Sequence, residues 1–475
     1  MEPITIHLKK GLKISFITKY CDIFIQIIIT AILARLLKPS DYGLFAIVVI
    51  FINFAQLIAE IGIGPAIIQN NELDIKDISM LFLFTLFQGL IMAIVYYFLS
   101  FLIFFIYRHQ IFLDSRIDIG IIIFISSITT VPLGILRKKL DFFYLGFFTI
   151  WANVIAGLGG IFFALKGFGV YSLIYKTIIS GILMFVFFYI KAKIKISFKF
   201  NPHSLNKIKN YSLNQFGFNI ITYIARNIDN LLIGKVIGTS ALGIYDRAYK
   251  LMMYPIQNLT LIINPVLHPV LTKIRDDKDQ LRKTYLKVLR LLSLISIPLI
   301  AVLYIFSKDI ILIFYGPNWL ESVKIFKILC FVSGLQVLSI TTSSIFQAAG
   351  RPDLLFKTGL FSNIILVIGI LVGLKWGIEG VAWGYLISYL ITIIPIFFIL
   401  FSLLNGHILE ILEVVKTSTV ICVIILIILG LSMNIFRISN LYLRFGTFVT
   451  IGVFVYMSLL VLFKQHKFIA NALKH

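Results

Sequence analysis

Long apolar runs, separated by short charged or Gly/Pro-rich breaks, fill nearly the whole chain. A hydrocarbon layer of about 30 Å is crossed by roughly 20 helical residues, so each run predicts one spanning helix. The breaks place spans at 12–37, 42–69, 78–106, 117–136, 143–165 and 169–190. After a basic connection come 209–236, 240–271, 283–306, 320–349, 354–374 and 378–403, followed by 415–433 and 441–463. The expectation is an all-α integral membrane protein with about fourteen transmembrane helices. Lys9, Lys10 and Lys13 precede an apolar segment that continues to Leu37 without a small-residue cleavage pattern. It reads as a retained first span, not a signal peptide.

Twelve of the spans form two sets of six. "ARLLKPSDYGLF" at 34–45 and "GKVIGTSALGIY" at 234–245 share serine and glycine at an offset of 200 residues. The same offset pairs Phe16 with Phe216, Arg35 with Lys235, Ser40 with Ser240, Gly43 with Gly243 and Pro65 with Pro265. An offset of 212 then pairs Thr129 and Thr130 with Thr341 and Thr342, and Asp141 with Asp353; 211 pairs Gly169 and Val170 with Gly380 and Val381. Glycine at a tight turn and proline at a helix end recur for backbone reasons alone, but five matches at one offset favour duplication. Six is even, so the sets start from the same side and form parallel repeats, an architecture in which two halves rock to expose one site alternately. The expected domains are an N-terminal lobe at 1–206, a second lobe at 207–403, and two extra helices with a tail at 404–475.

Composition agrees: 59% of the 475 residues are hydrophobic and 13% charged. Mean hydropathy is +0.99. Lysine and arginine concentrate in alternate loops: Lys9, Lys10 and Lys13; Arg137, Lys138 and Lys139; the 191–209 run; 273–283; and the C-terminal tail. By the positive-inside rule these loops and both termini are cytoplasmic. The net charge of +22 then reflects topology and anionic lipid headgroups, not nucleic-acid binding. Cys21, Cys330 and Cys422 form no CxxC pair, and the seven histidines no HExxH, so neither a disulfide framework nor a metal site is expected. No GxxxxGK[ST] loop is present, and Gly157, Gly159 and Gly160 lie inside a span where small residues serve helix packing. No cofactor is expected.

Ionisable groups inside a span cost roughly 2.5 to 3.5 kcal/mol each on insertion scales and normally face the bundle interior. Lys19 and Asp22 are three apart in span 1, with Asp22 near the midplane, and Glu60 precedes Gly62, Gly64 and Pro65 in span 2. Arg226 and Asp229 lie three apart in span 7; Asp246, Arg247 and Lys250 follow in span 8. Two readings follow. In one, Arg226, Arg247 and Lys250 attract an anionic pyrophosphate, for which guanidinium offers a fork and ammonium a point charge, while Asp22 and Glu60 bind a coupling proton or sodium ion. In the other, Lys19 with Asp22, Arg226 with Asp229, and Asp246 with Lys250 neutralise one another as helix ties. Lys287, Arg290, Lys324 and Lys327 sit close enough to span ends to snorkel, and Lys176 is unassigned.

The stretches "ILARLLKPSDYGLFAIVVIFINFAQLIAEIGIGPAIIQ", "DNLLIGKVIGTSALGIYDRAYKLMMYPIQ", "YGPNWLES" and "FQAAGRPDLLFK" resemble the Wzx-type polysaccharide flippases, particularly the colanic acid exporter branch, across spans 1 to 12. The resemblance implies the multidrug/oligosaccharidyl-lipid/polysaccharide (MOP) exporter fold: two six-helix bundles and two further helices. It also implies a multi-pass protein of the bacterial inner membrane that moves undecaprenyl-pyrophosphate-linked oligosaccharide repeat units outward, with membrane lipids and polysaccharide assembly machinery as partners. A peptidoglycan-precursor flippase and a multidrug exporter of the same superfamily share that architecture. A membrane-embedded glycosyltransferase or polymerase fits less well, since external connections are short and their acids, Asp41, Asp114, Asp118, Asp309 and Glu379, are scattered without a paired motif. No enzymatic activity is expected.

Overall fold

A computed structural model describes residues 2–59, 63–70, 73–195, 213–275, 277–436 and 438–474. All regular structure among them is helical. In chain order the helices are α1 (Glu2–Leu36), α2 (Pro39–Ala59), α3 (Ile63–Gln69), α4 (Ile75–Tyr107), α5 (Ile111–Asp114), α6 (Arg116–Lys138), α7 (Phe142–Leu165), α8 (Tyr171–Ala192) and α9 (Leu213–Val236). There follow α10 (Thr239–Lys273), α11 (Lys278–Ile305), α12 (Ser307–Phe314), α13 (Ser322–Ser339), α14 (Thr342–Ala348), α15 (Pro352–Gly373), α16 (Gly377–Leu403), α17 (Glu410–Ile435), α18 (Leu441–Leu462) and α19 (Gln465–Lys474).

Eleven segments of the described chain are long and apolar enough to cross a membrane. One of them, Pro352–Leu403, contains α15 and α16, which double back at Leu374–Trp376 with Gly377 at φ 70°. Counting those two separately, and adding α9 and α10, whose length suffices but whose charges dilute their hydropathy, gives fourteen. This fits the count expected from the apolar runs.

Two expected spans are each built in two pieces. The 42–69 span is α2 followed by α3, which opens at Ile63 with Pro65 in its first turn, where a missing N–H leaves no bond unmade. The amide of Gln88 on α4 donates to the Ile58 carbonyl at 2.9 Å, satisfying an acceptor the break sets free. The 320–349 span divides into α13 and α14 at Ile340–Thr341. No glycine or proline stands there; instead Ser339 Oγ donates to Leu335 O at 2.7 Å and Thr342 Oγ1 to Ser339 O at 2.8 Å. Such hydroxyl bonds compete with the helical ladder.

The chain divides into two compact units, Met1–Gly243 and Ile244–His475. This division follows contacts, whereas the lobe boundary expected at 206 follows the repeat. They differ because α9 is fastened to α2 and α4. Tyr223 Oη donates to Ile50 O at 2.6 Å, Tyr107 Oη to Leu231 O at 3.1 Å, and the Lys235 ammonium to Ile106 O. In the first unit α3, α4, α6 and α8 share a core that includes Ile67, Leu81, Phe82, Val131 and Ala192. In the second, α10, α11, α14 and α16 close around Leu271, Tyr285, Phe346 and Phe401.

The repeated turn meets its own copy. A methyl group on Gly43 of α2 would strike the Thr239 carbonyl oxygen, and one on Gly243 the Pro39 carbonyl oxygen. Neither glycine has a left-handed φ, so close backbone approach, not turn geometry, requires it. Gly43→Ala should therefore destabilise the protein by about 1–3 kcal/mol, as overpacking against backbone does. Gly430→Ala, in α17 with open space around the added carbon, should not. Thermal melting of the two purified variants in one detergent checks this, and equal midpoints would refute it.

Candidate functional site

Asp22 is a buried acid of the first unit. Asn153 Nδ2 of α7 donates to its Oδ1 at 2.7 Å, and Gln26 Nε2, one turn along α1, donates to Oδ2 at 3.3 Å. Ser180 Oγ of α8 then donates to Asn153 Oδ1 at 3.1 Å. Glycines bring these helices together. A methyl on Gly146 would hit Thr18, one on Gly157 would hit Ile29, and Gly160 lies against the stem of Lys176. Without a side chain at 146 and 157, α7 approaches α1 closely enough to place Asn153 on the carboxylate.

Beside this network lies a cavity of about 520 Å³ among α2, α3, α6, α7 and α8. Its polar wall comprises Asn53 and Gln56; Ser126, Thr129 and Thr130; Asn153; and Lys176, Thr177 and Ser180. Arg137, one residue from the end of α6, also lines it. At 1.5 Å per residue, Ser126 and Arg137 are about 16 Å apart along α6, so the cavity is elongated along the helices. Among the described residues its lining includes Lys176 and Arg137 and no carboxylate.

In the second unit Asp246 is buried and its Oδ2 receives two cations: Arg247 Nη2 at 2.6 Å and Lys250 Nζ at 2.9 Å. The Lys250 side chain remains 42% exposed, so its ammonium keeps donors for a ligand. The segment is pinned by Ser322 Oγ, which donates to Ile244 O at 3.0 Å, and by Tyr315 Oη, which donates to Arg247 O at 3.5 Å.

Of the residues singled out from the sequence, Asp246, Arg247 and Lys250 come together as one cluster. Lys19 and Asp22 do not: Lys19 is exposed, and no ion pair joins them. Asp22 has neutral amide donors instead. Arg226 is also exposed and makes no ion pair with the buried Asp229, whose Oδ1 accepts from Asn230 N at 2.8 Å. In both cases the base of the i, i+3 pair is exposed and the acid buried. Glu60 lies outside the described residues. Among the described residues no group of His, Cys, Asp and Glu has metal-site geometry.

Sequence reasoning missed the wall of the cavity. In the sequence Arg137 reads only as a topological charge, and Asn153, an amide within "WANVIAGLGG", carries no charge. The usable signal was Lys176, a base five residues inside α8. If Asn153 is what makes Asp22 tolerable, Asn153→Ala should cost about 1–3 kcal/mol, as loss of a buried partner does. In an Asp22→Asn background it should cost much less. A double-mutant cycle of thermal unfolding measures the coupling, and additivity would show the bond to be incidental.

A sequence profile described as "Polysaccharide biosynthesis protein" matches residues 32–324. The teichuronic acid biosynthesis protein TuaB of Bacillus subtilis is 27% identical over 394 residues, covering 82% of this chain and 81% of that protein. The lipopolysaccharide biosynthesis protein WzxC of Escherichia coli is 24% identical over 410 residues, covering 83% and 81%. Among solved structures, the lipid II flippase MurJ in an inward closed conformation superposes with a TM-score of 0.72 at 20% identity, covering 95% of this chain and 99% of that one. An inward-facing multidrug resistance MATE family transporter of the MOP superfamily gives 0.64 at 17% identity, covering 81% and 94%. The fold is therefore that of the MOP transporters.

Proposed function

Because the chain belongs to the polysaccharide biosynthesis protein family, whose profile spans residues 32–324, we propose that it is a flippase for undecaprenyl-pyrophosphate-linked oligosaccharide repeat units. It acts in the bacterial inner membrane, with lobes 1–206 and 207–403 alternating access and both termini cytoplasmic, and it catalyses no covalent chemistry. The cavity of the first unit is the observation that carries this reading. Hydroxyl and amide groups suit sugar hydroxyls, whereas Lys176 and Arg137, with no acid among the described lining residues, suit an anionic group. A cationic drug would favour the reverse charge. The bases expected from the sequence, Arg226, Arg247 and Lys250, join them in this reading as attractors of the pyrophosphate.

Asp22 is assigned to the coupling ion. A carboxylate held by two amides stays one positive charge short of neutrality and takes up a proton or a sodium ion without first losing a fixed cation. Asp246, already facing two bases, has no such need.

Proteoliposomes loaded with a fluorescent undecaprenyl-pyrophosphate oligosaccharide test the proposal. The wild type should translocate it, and Lys176→Gln or Arg137→Gln should slow the rate about tenfold, the loss of one charge-assisted contact. Arg226→Ala and Lys250→Ala report on the remaining bases, and normal rates in folded variants would remove those two from the binding role. Absence of wild-type flipping would refute the function itself. A second measurement concerns Asp22→Asn, which should abolish the response of rate to an imposed proton or sodium gradient while leaving downhill scrambling. A gradient response that survives would move the coupling site elsewhere.

A further inference from the structure

Helix α18 ends at Leu462, the chain turns through Lys464 at φ 54°, and α19 begins at Gln465. Because α18 has the length and apolarity of a membrane span, α19 starts at a bilayer surface. Its first turns are amphipathic: at 100° per residue Gln465, Phe468 and Ile469 share one side, while Lys467 lies on the other. Gln465 is buried and His466 and Lys467 are exposed, in keeping with that division.

The Arg290 guanidinium of α11 lies 4.6 Å from the centre of the Phe468 ring, which fixes the level at which α19 meets α11. From Arg290 toward the start of α11, Lys287 and Lys283 follow on the same 60° sector of the helix, both exposed. They rise about 4.5 and 10.5 Å beyond Arg290, a span comparable with a headgroup layer of roughly 5 to 8 Å. Two acids on this stretch are already engaged: Arg282 holds Asp279 at 3.2 Å and Glu410 at 3.8 Å. Asp277 caps α11, and among the described residues of this stretch Glu413 of α17 is a further exposed acid.

We propose that Lys283, Lys287 and Arg290 of α11, with Lys464 and Lys467 at the start of α19, form a binding site for an anionic membrane phospholipid, preferentially one with two phosphates of the cardiolipin type. The apolar side of α19 supplies the wall for the acyl chains, and the lysines, as point charges spread along α11 and the start of α19, take separate phosphates. The site holds α19 to the membrane surface. It is independent of what the protein carries.

Full-length protein in phosphatidylcholine nanodiscs doped with tetraoleoyl cardiolipin provides the test, read as lipid retained in native mass spectrometry. Wild type should retain cardiolipin over phosphatidylcholine. The combined Lys283→Gln, Lys287→Gln and Lys467→Gln variant should lower that retention about tenfold. The matching arginine variant should preserve it, and Lys308→Gln with Lys375→Gln, which removes charge elsewhere, should leave it unchanged. Unaltered retention in the triple glutamine variant overturns the proposal, and so does an equal loss in the control pair. Displacement of bound cardiolipin by undecaprenyl pyrophosphate would also overturn it, because the patch would then be a substrate vestibule.

Discussion

Helices in lipid gain nothing by hiding apolar surface from one another, so close van der Waals contact must hold them together. In this chain the closest contacts are made where glycine lets one backbone rest on another. Gly43 and Gly243 bring the two copies of the repeated turn together, and Gly369 with Gly384 and Gly373 with Gly380 zip α15 onto α16. The same device decides the chemistry. Gly146 and Gly157 draw α7 onto α1, and only at that separation does a short side chain such as Asn153 reach the Asp22 carboxylate. The polar centre is thus a product of small-residue packing.

A carboxylate away from water needs donors, and the two units supply them differently. Asp22 has two amides, which stabilise the charge without cancelling it. Asp246 has a guanidinium and an ammonium on one oxygen, which leaves the trio with a net positive charge. The first arrangement keeps a negative charge and the second a positive one. The Asp309 carboxylate, paired with Arg444, belongs to neither class: it ties α18 to α12 at the other end of the span.

Most of the fold was legible because its signal is collective. A spanning helix announces itself through some twenty residues at once, and the repeat through matched positions such as Ser40, Gly43 and their partners at 240 and 243. The break at 340–341 was not legible, since it is made by serine and threonine hydroxyls that look helical in a hydropathy window. Helix α19 was hidden for a related reason: ten residues with lysines read as a tail until Phe468 is seen under Arg290. At the site, periodicity could place Asp22 near mid-membrane but could not tell whether Lys19 or a residue 131 positions away would satisfy it. A pairing rule based on i, i+3 spacing describes what a helix allows, and burial decides which partner is used.

Basic residues illustrate the same limit most directly. Arg137, Lys138 and Lys139 are consecutive and count equally toward topology. Their side chains nevertheless do three different things: Arg137 lines the cavity, Lys138 donates to the Asn70 carbonyl at the end of α3, and Lys139 is exposed. Nearby, Lys191 pairs with Asp141 at 3.3 Å and lies over the Tyr144 ring at 4.8 Å, closing α7 onto α8. A charge that orients the protein during insertion costs nothing more to keep, so evolution of a binding site at the mouth of a bundle starts from cations already present. That economy explains why Lys176, which topology does not require, is the informative base.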